Sequence, residues 1–167
     1  FCACPALGAT YYVDAIGGSD TAAGTSPSTA WRTISKVNRV NLQPGDSILF
    51  KRDCQFRGML IPNGSGAEGR QIMLDAYGSG NKPVILRDTQ EKEAGAIRLV
   101  DKSHYLIQNL EIQSPCSHAL VLRGCHHVTV RRCDFTNIAY LPPGEMQGKH
   151  EAWSVVVEAG STDGSYN

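Results

Sequence analysis

Between Gly95 and Ile138 the chain states one pattern twice. Ala96-Ile97-Arg98-Leu99-Val100 matches Ala119-Leu120-Val121-Leu122-Arg123, Tyr105-Leu106-Ile107 matches Val128-Thr129-Val130, and Leu110-Glu111-Ile112 matches Cys133-Asp134-Phe135, always at an offset of 23 residues. Each copy holds three apolar segments, too short for helices and parted by small or polar residues. A repeat of this length with three strands is one coil of a right-handed parallel β-helix, in which each coil buries its inward side chains on the next. A third copy begins at Ser154-Val155-Val156-Val157-Glu158, 35 residues after the second. The 12 additional residues are expected to bulge as a loop between Phe135 and Ser154.

Successive side chains on a strand point to opposite faces. Ile97, Leu99, Leu120, Leu122, Val155 and Val157 are therefore expected to stack inside. Arg98, Val121 and Val156 form one outward row, and Val100, Arg123 and Glu158 the next. Vertical neighbours such as Arg123 and Glu158 would lie about 4.8 Å apart at the backbone.

Upstream, Tyr11-Tyr12-Val13-Asp14 reads as a first strand, followed by turn formers from Gly17 to Pro27. Ser28 to Val37 carries Trp31, Ile34 and Val37 at helical spacing behind hydroxyl residues able to cap it. A short helix here would cover the open end of the first coil, as solenoids need. Further strands are expected at Ser47–Lys51, Cys54–Gly58, Met59–Ile61, Gln71–Tyr77 and Pro83–Leu86, and the polar run Arg87–Glu93 reads as a solvated loop. The fold class is thus all-β, a right-handed parallel β-helix with a short N-terminal capping helix.

The bulk properties narrow the partners. Sixteen basic and 16 acidic residues cancel, which removes any broad electrostatic case for nucleic acid or an anionic membrane. No stretch approaches the roughly 20 apolar residues that span a bilayer. Residues 1–9, Phe-Cys-Ala-Cys-Pro-Ala-Leu-Gly-Ala, read as a signal-peptide remnant, which implies export to a secreted, cell-surface or periplasmic location. Residues 10–167 then hold the cap and first coils. Cys54, Cys116, Cys125 and Cys133 fit no zinc spacing. Cys133 stands where the first copy has Leu110 and reads as a buried free thiol. A disulfide between Cys116 and Cys125 is left open but not expected, since the two fall at different corners.

The order Tyr-Val-Asp (12–14), Gly-Ser-Asp (18–20), Gly-Thr-Ser-Pro (24–27), Trp-Arg-Thr-Ile (31–34), Pro-Gly-Asp-Ser-Ile-Leu-Phe (44–50), Ala-Tyr-Gly-Ser-Gly (76–80) and Pro-Val-Ile (83–85) closely resembles the N-terminal third of secreted, pectate-lyase-like right-handed β-helix proteins. The resemblance spans about residues 11 to 160 and implies a longer stack of coils, with this chain truncated at its C-terminal end. It also implies that the strand Ala119–Arg123 floors a substrate groove. That superfamily contains polysaccharide lyases, glycoside hydrolases, epimerases and non-enzymatic modules, so the fold alone does not choose among them.

On that layout the expected substrate-binding residues are Arg98, Arg123, His118 and Tyr140. Arginine would hold a uronate carboxylate through paired hydrogen bonds. The insertion brings Glu145, Lys149, His150 and Glu151 before the third rung. Lys149 or His150 could remove the proton beside the carboxylate, with Glu158 close by, and Trp153 or Tyr140 could stack on a sugar. The leading expectation is a polysaccharide lyase acting on an acidic glycan. The alternatives are a hydrolase, which needs two carboxylates on the groove face at roughly 5 to 9.5 Å, and a non-catalytic glycan-binding or adhesion module.

Other polar positions read as structural. His104 aligns with His127, and His126 lies beside it; all three read as surface turn histidines rather than metal ligands. Asn109 sits at a corner whose partner in the next coil is Arg132. Glu111 and Asp134 stack outward and would repel unless solvated or bridged by a cation. Calcium there is possible but poorly supported, because two carboxylates fall far short of six to eight oxygen ligands.

Overall fold

The computed structural model describes residues 8–87, 95–115, 118–138 and 155–158. The strands are β1 (Thr10–Val13), β2 (Ser47–Lys51), β3 (Gln55–Arg57), β4 (Ile72–Tyr77), β5 (Val84–Leu86), β6 (Ile97–Val100), β7 (Ser103–Gln108), β8 (Glu111–Ser114), β9 (Leu120–Arg123), β10 (His126–Arg131), β11 (Asp134–Ile138) and β12 (Val155–Glu158), with one short helix, α1 (Ile34–Val37). They form three parallel sheets in the orders β1-β2-β4-β7-β10, β11-β8-β5-β3 and β12-β9-β6. From β4 onward chain order cycles through the three sheets, which makes the parallel β-helix expected from the repeat.

The register follows the 23-residue offset on all three walls. Leu99 pairs with Leu122, Tyr105 with Val128, and Ile112 with Phe135. The third copy is also in place, Val155 on Leu120 and Val157 on Leu122. The insertion that separates the copies falls on residues 139–154, outside the described segments.

Inward positions fill the axis. Ile48, Phe50, Ile72, Leu74, Ile85, Ile97, Leu99, Tyr105, Ile107, Ile112 and Leu120 are all fully buried, each worth about 1.5–3 kcal/mol relative to exposure for the larger side chains. The far rung differs. Val157 is 71% exposed and Val155 38%, so among the described residues no further coil covers these inward valines. Cys133 departs from expectation for the same reason: it is a free thiol, but only partly buried where Leu110 below it is fully buried.

The opposite end is capped differently from the single helix predicted. Trp31 is not helical. It forms a parallel bridge with Val13, because Asp20 accepts hydrogen bonds from the backbone N–H of Arg32 (2.9 Å) and Thr33 (3.0 Å) and from the Thr33 hydroxyl (2.7 Å), holding this segment extended. A 3-10 turn at Pro27–Thr29 precedes it. Thr33 then caps α1 by accepting from Lys36 N–H at 3.1 Å. Trp31, Ile34 and Val37 are nonetheless all buried over the first coil.

Left-handed residues recur with the coil, at corners between walls and, for His104 and His127, at the second residue of β7 and β10. Asp101 (φ 51°) answers Gly124 (φ 61°), His104 (56°) answers His127 (54°), and Asn109 (57°) answers Arg132 (54°). Asn109 is not isolated at its corner: its amide donates to Asp75 at 2.7 Å. Arg87, placed by sequence at the start of a solvated loop, is 1% exposed. Its guanidinium donates to the Gly95 carbonyl and contacts the Met59 sulfur, so its aliphatic stem and head lie inside the wall. Among the described residues no helix is long and apolar enough to cross a membrane.

Candidate functional site

The wall β6-β9-β12 carries the outward rows read from sequence. Arg98, Val121 and Val156 are in register, as are Val100, Arg123 and Glu158. Arg98 and Arg123 are half-buried. The first row is more enclosed than a groove floor would be: Val121 is 2% exposed, and the Nε of Arg98 is buried without a hydrogen-bond partner. Gly95 contributes to this crowding, since a Cβ there would lie 3.0 Å from a Val121 methyl. His118 precedes β9, its carbonyl accepting from Ala96 N–H at 3.2 Å. Tyr140, Glu145, Lys149, His150, Glu151 and Trp153 lie outside the described residues, and of Glu158 only the backbone is described. The structure therefore brings Arg98, Arg123 and the backbone of Glu158 onto one wall.

The described carboxylates are largely committed to holding the coil. Asp14 accepts from Lys51 Nζ at 2.6 Å and from the backbone N–H of Ile16 and Gly17. Burial pushes its pKa up, but those donors outweigh it and hold the carboxyl below its ordinary value. Asp46 takes the N–H of Ala9 and Gln43. Asp53 takes Asn81, and Asp75 takes Gln108 and Asn109. The stacked outward pair is also satisfied: Glu111 accepts from Gln113 and Thr136, and Asp134 from the ammonium of Lys82 at 2.8 Å. The expected repulsion is thus relieved by donors from their own and other rungs.

Among the described residues a groove lies on a different wall. Its volume is about 610 Å³, and it is lined by Glu68, Gly69, Gln71, His104, His127, Val128 and Thr129. His104 and His127 stack in parallel, with ring centroids 4.5 Å apart and planes within 1°. His126 stands edge-on to His127, and the two Nδ1 atoms are 3.1 Å apart. Sequence reading aligned His104 with His127 but read the three as separate surface groups. The signal was there in the 23-residue offset, which places side chains of equivalent positions on top of one another. The facing wall, Glu68 to Gln71, belongs to an earlier coil and gives no such signal.

These features define a parallel β-helix with a half-buried cationic wall and a histidine-lined groove. No family model matches the chain. A lacto-N-biosidase of Bifidobacterium longum subsp. longum is 29% identical over 136 residues, which is 78% of this chain and 8% of that protein. Two crystal structures of a GH136 lacto-N-biosidase from Eubacterium ramulus, native and selenomethionine derivative, share the fold with TM-scores of 0.59 and 0.58. They are 24% identical and cover 72% of this chain and 26% of theirs. The chain thus spans less than a tenth of the curated relative's length. These relatives are named as hydrolases, not as the pectate-lyase-like enzymes that the motif order resembles.

Proposed function

We propose that this chain forms the capped end and first coils of an exported, carbohydrate-active β-helix that works as a glycoside hydrolase. The similarity to a lacto-N-biosidase over most of this chain carries the reading, and the shared coil geometry supports it. It favours hydrolysis over the elimination reading. Hydrolysis needs two carboxylates on the groove face, and in a chain spanning 8% of its relative a shortage of them on this wall has little weight.

The committed roles of Asp14, Asp46, Asp53, Asp75, Glu111 and Asp134 make these residues scaffold. The two acids that glycoside hydrolysis requires are then sought at Glu145, Glu151 and Glu158 and on further coils. Arg98, Arg123 and His118 contribute hydrogen-bond donors to a glycan along the third wall.

The test uses the natural protein that carries this chain, incubated in parallel with an oligosaccharide ending in lacto-N-bioside and with pectate and alginate. Release of the free disaccharide supports the proposal. An ultraviolet-absorbing unsaturated product from an acidic polymer would overturn it in favour of elimination. Glycan binding without any product would point to a non-catalytic module.

A further inference from the structure

We propose that His104, His126 and His127 bind one late first-row divalent cation, of the class Zn²⁺, Ni²⁺ or Cu²⁺, which ties β10 to β7. Each histidine offers a ring nitrogen, and these donor atoms all lie within 4.8 Å of one another. In a tetrahedral site with metal–nitrogen bonds of 2.0–2.1 Å, donor atoms stand about 3.3 Å apart. The Nδ1 atoms of His126 and His127 already meet that spacing at 3.1 Å. At this distance two lone pairs need a proton or a cation between them.

The third ligand is held close by the backbone. The register pairs Ser103 with His126 and Tyr105 with Val128, so His104 and His127 are locked level with each other on adjacent rungs. Both adopt left-handed backbone, at φ 56° and 54°, which sends the two side chains the same way. Closing the site requires His104 to turn out of its parallel stack, a rotation about its side-chain bonds into the open groove. Glu68, the carboxylate on the wall of that groove, offsets the charge that three neutral imidazoles leave on the ion. Imidazole nitrogens select late first-row ions over calcium or magnesium, which prefer oxygen. Cys125, next to the cluster in sequence, is not part of it, because its thiol points at the carbonyls of Leu99 and Arg123, 3.4 Å from each. Because β10 pairs in parallel with β7, the ion ties two adjacent rungs together. The inference rests on the histidine cluster alone and is independent of the hydrolase reading.

The experiment titrates chelator-stripped protein with ZnCl₂, NiCl₂ and CuCl₂ separately, by calorimetry and by thermal unfolding. The expected result is one equivalent bound, a rise in the unfolding midpoint with metal concentration, and nitrogen hyperfine structure in the electron paramagnetic resonance spectrum of the copper form. The double variant His104→Asn/His127→Asn keeps residues that tolerate left-handed backbone and should bind at least about tenfold more weakly. Its unfolding in chelator checks that it folds. Should it not, His126→Gln on the exposed edge removes one ligand and must show the same loss. Absence of saturable binding by all three ions, or binding that survives these substitutions unchanged, would overturn the proposal.

Discussion

The ammonium of Lys51 and the carboxylate of Asp14 meet at 2.6 Å, joining the ends of the first two strands of the longest sheet. Lys51 is half-exposed while the Asp14 side chain is nearly covered, so the aspartate is the partner that cannot turn to water.

Asp14→Asn should lower stability by about 1–3 kcal/mol, the cost of weakening hydrogen bonds to a charged, buried acceptor. Lys51→Met should cost less, since the two backbone donors to Asp14 remain. The pH dependence has a definite sign. Asp14 and Asp20 both sit below the ordinary carboxylate value of 3.8: burial raises each, and hydrogen bonds from Lys51 and Thr33 respectively, with backbone N–H groups, outweigh it. Their stabilisation is therefore complete above that value and is lost as pH falls through the lower folded values. Urea midpoints measured from about pH 6 down to pH 2 should fall at the acid end, and the Asp14→Asn variant should show a shallower fall. An identical acid limb in both proteins would refute the assignment.

Leu99→Ala should cost about 2–5 kcal/mol, because Leu99 is fully enclosed between coils and its removal leaves a cavity. Val157→Ala, at an equivalent inward position two rungs on, should cost less than about 0.5 kcal/mol because that side chain is 71% exposed. Chemical denaturation of the two variants reads the contrast directly. Equal costs would mean that Val157 is covered as fully as Leu99.

Gly24→Ala should destabilise the capped end by at least about 1 kcal/mol. Gly24 has φ +76°, and a Cβ there would lie 2.2 Å from the Trp31 ring. That ring is fixed by stacking on Tyr11 at 4.7 Å and by donating its indole N–H to the Ala22 carbonyl at 3.1 Å. A shift in tryptophan emission together with a lower unfolding midpoint is expected. A variant with wild-type emission and stability would show the cap to be looser than described.

Cys54 should resist alkylation until the protein unfolds. It is buried, and burial first of all pushes its thiol pKa up, which suppresses the reactive thiolate. Iodoacetamide labelling at pH 8 followed by mass spectrometry should leave Cys54 unmodified in native protein and label it in urea. Rapid native labelling would contradict the burial.

How far the sequence carried this reading depends on distance along the chain. The pairing of Leu99 with Leu122 was legible because inward apolar positions repeat at a constant offset, and that offset is the coil. The role of Trp31 was not, since its spacing to Ile34 and Val37 suits a helix equally well. The decision comes from Asp20, a residue 12 positions upstream of Arg32 whose carboxylate holds the segment extended. Arg87 misled for a similar reason: a polar neighbourhood in sequence says nothing of the Gly95 carbonyl that receives its guanidinium. At the candidate glycan wall, Arg98 and Arg123 fell where the alternation put them, whereas the covering of Val121 depends on packing that no period-2 rule contains.

The left-handed positions have an evolutionary corollary. Aspartate is answered by glycine, asparagine by arginine, and histidine by histidine on successive coils, so the path of the main chain is conserved from winding to winding while the chemistry displayed at each position is free to vary. A scaffold of that kind can trade surface groups by single substitutions without retuning its interior. New ligand-binding corners can therefore arise on it one residue at a time.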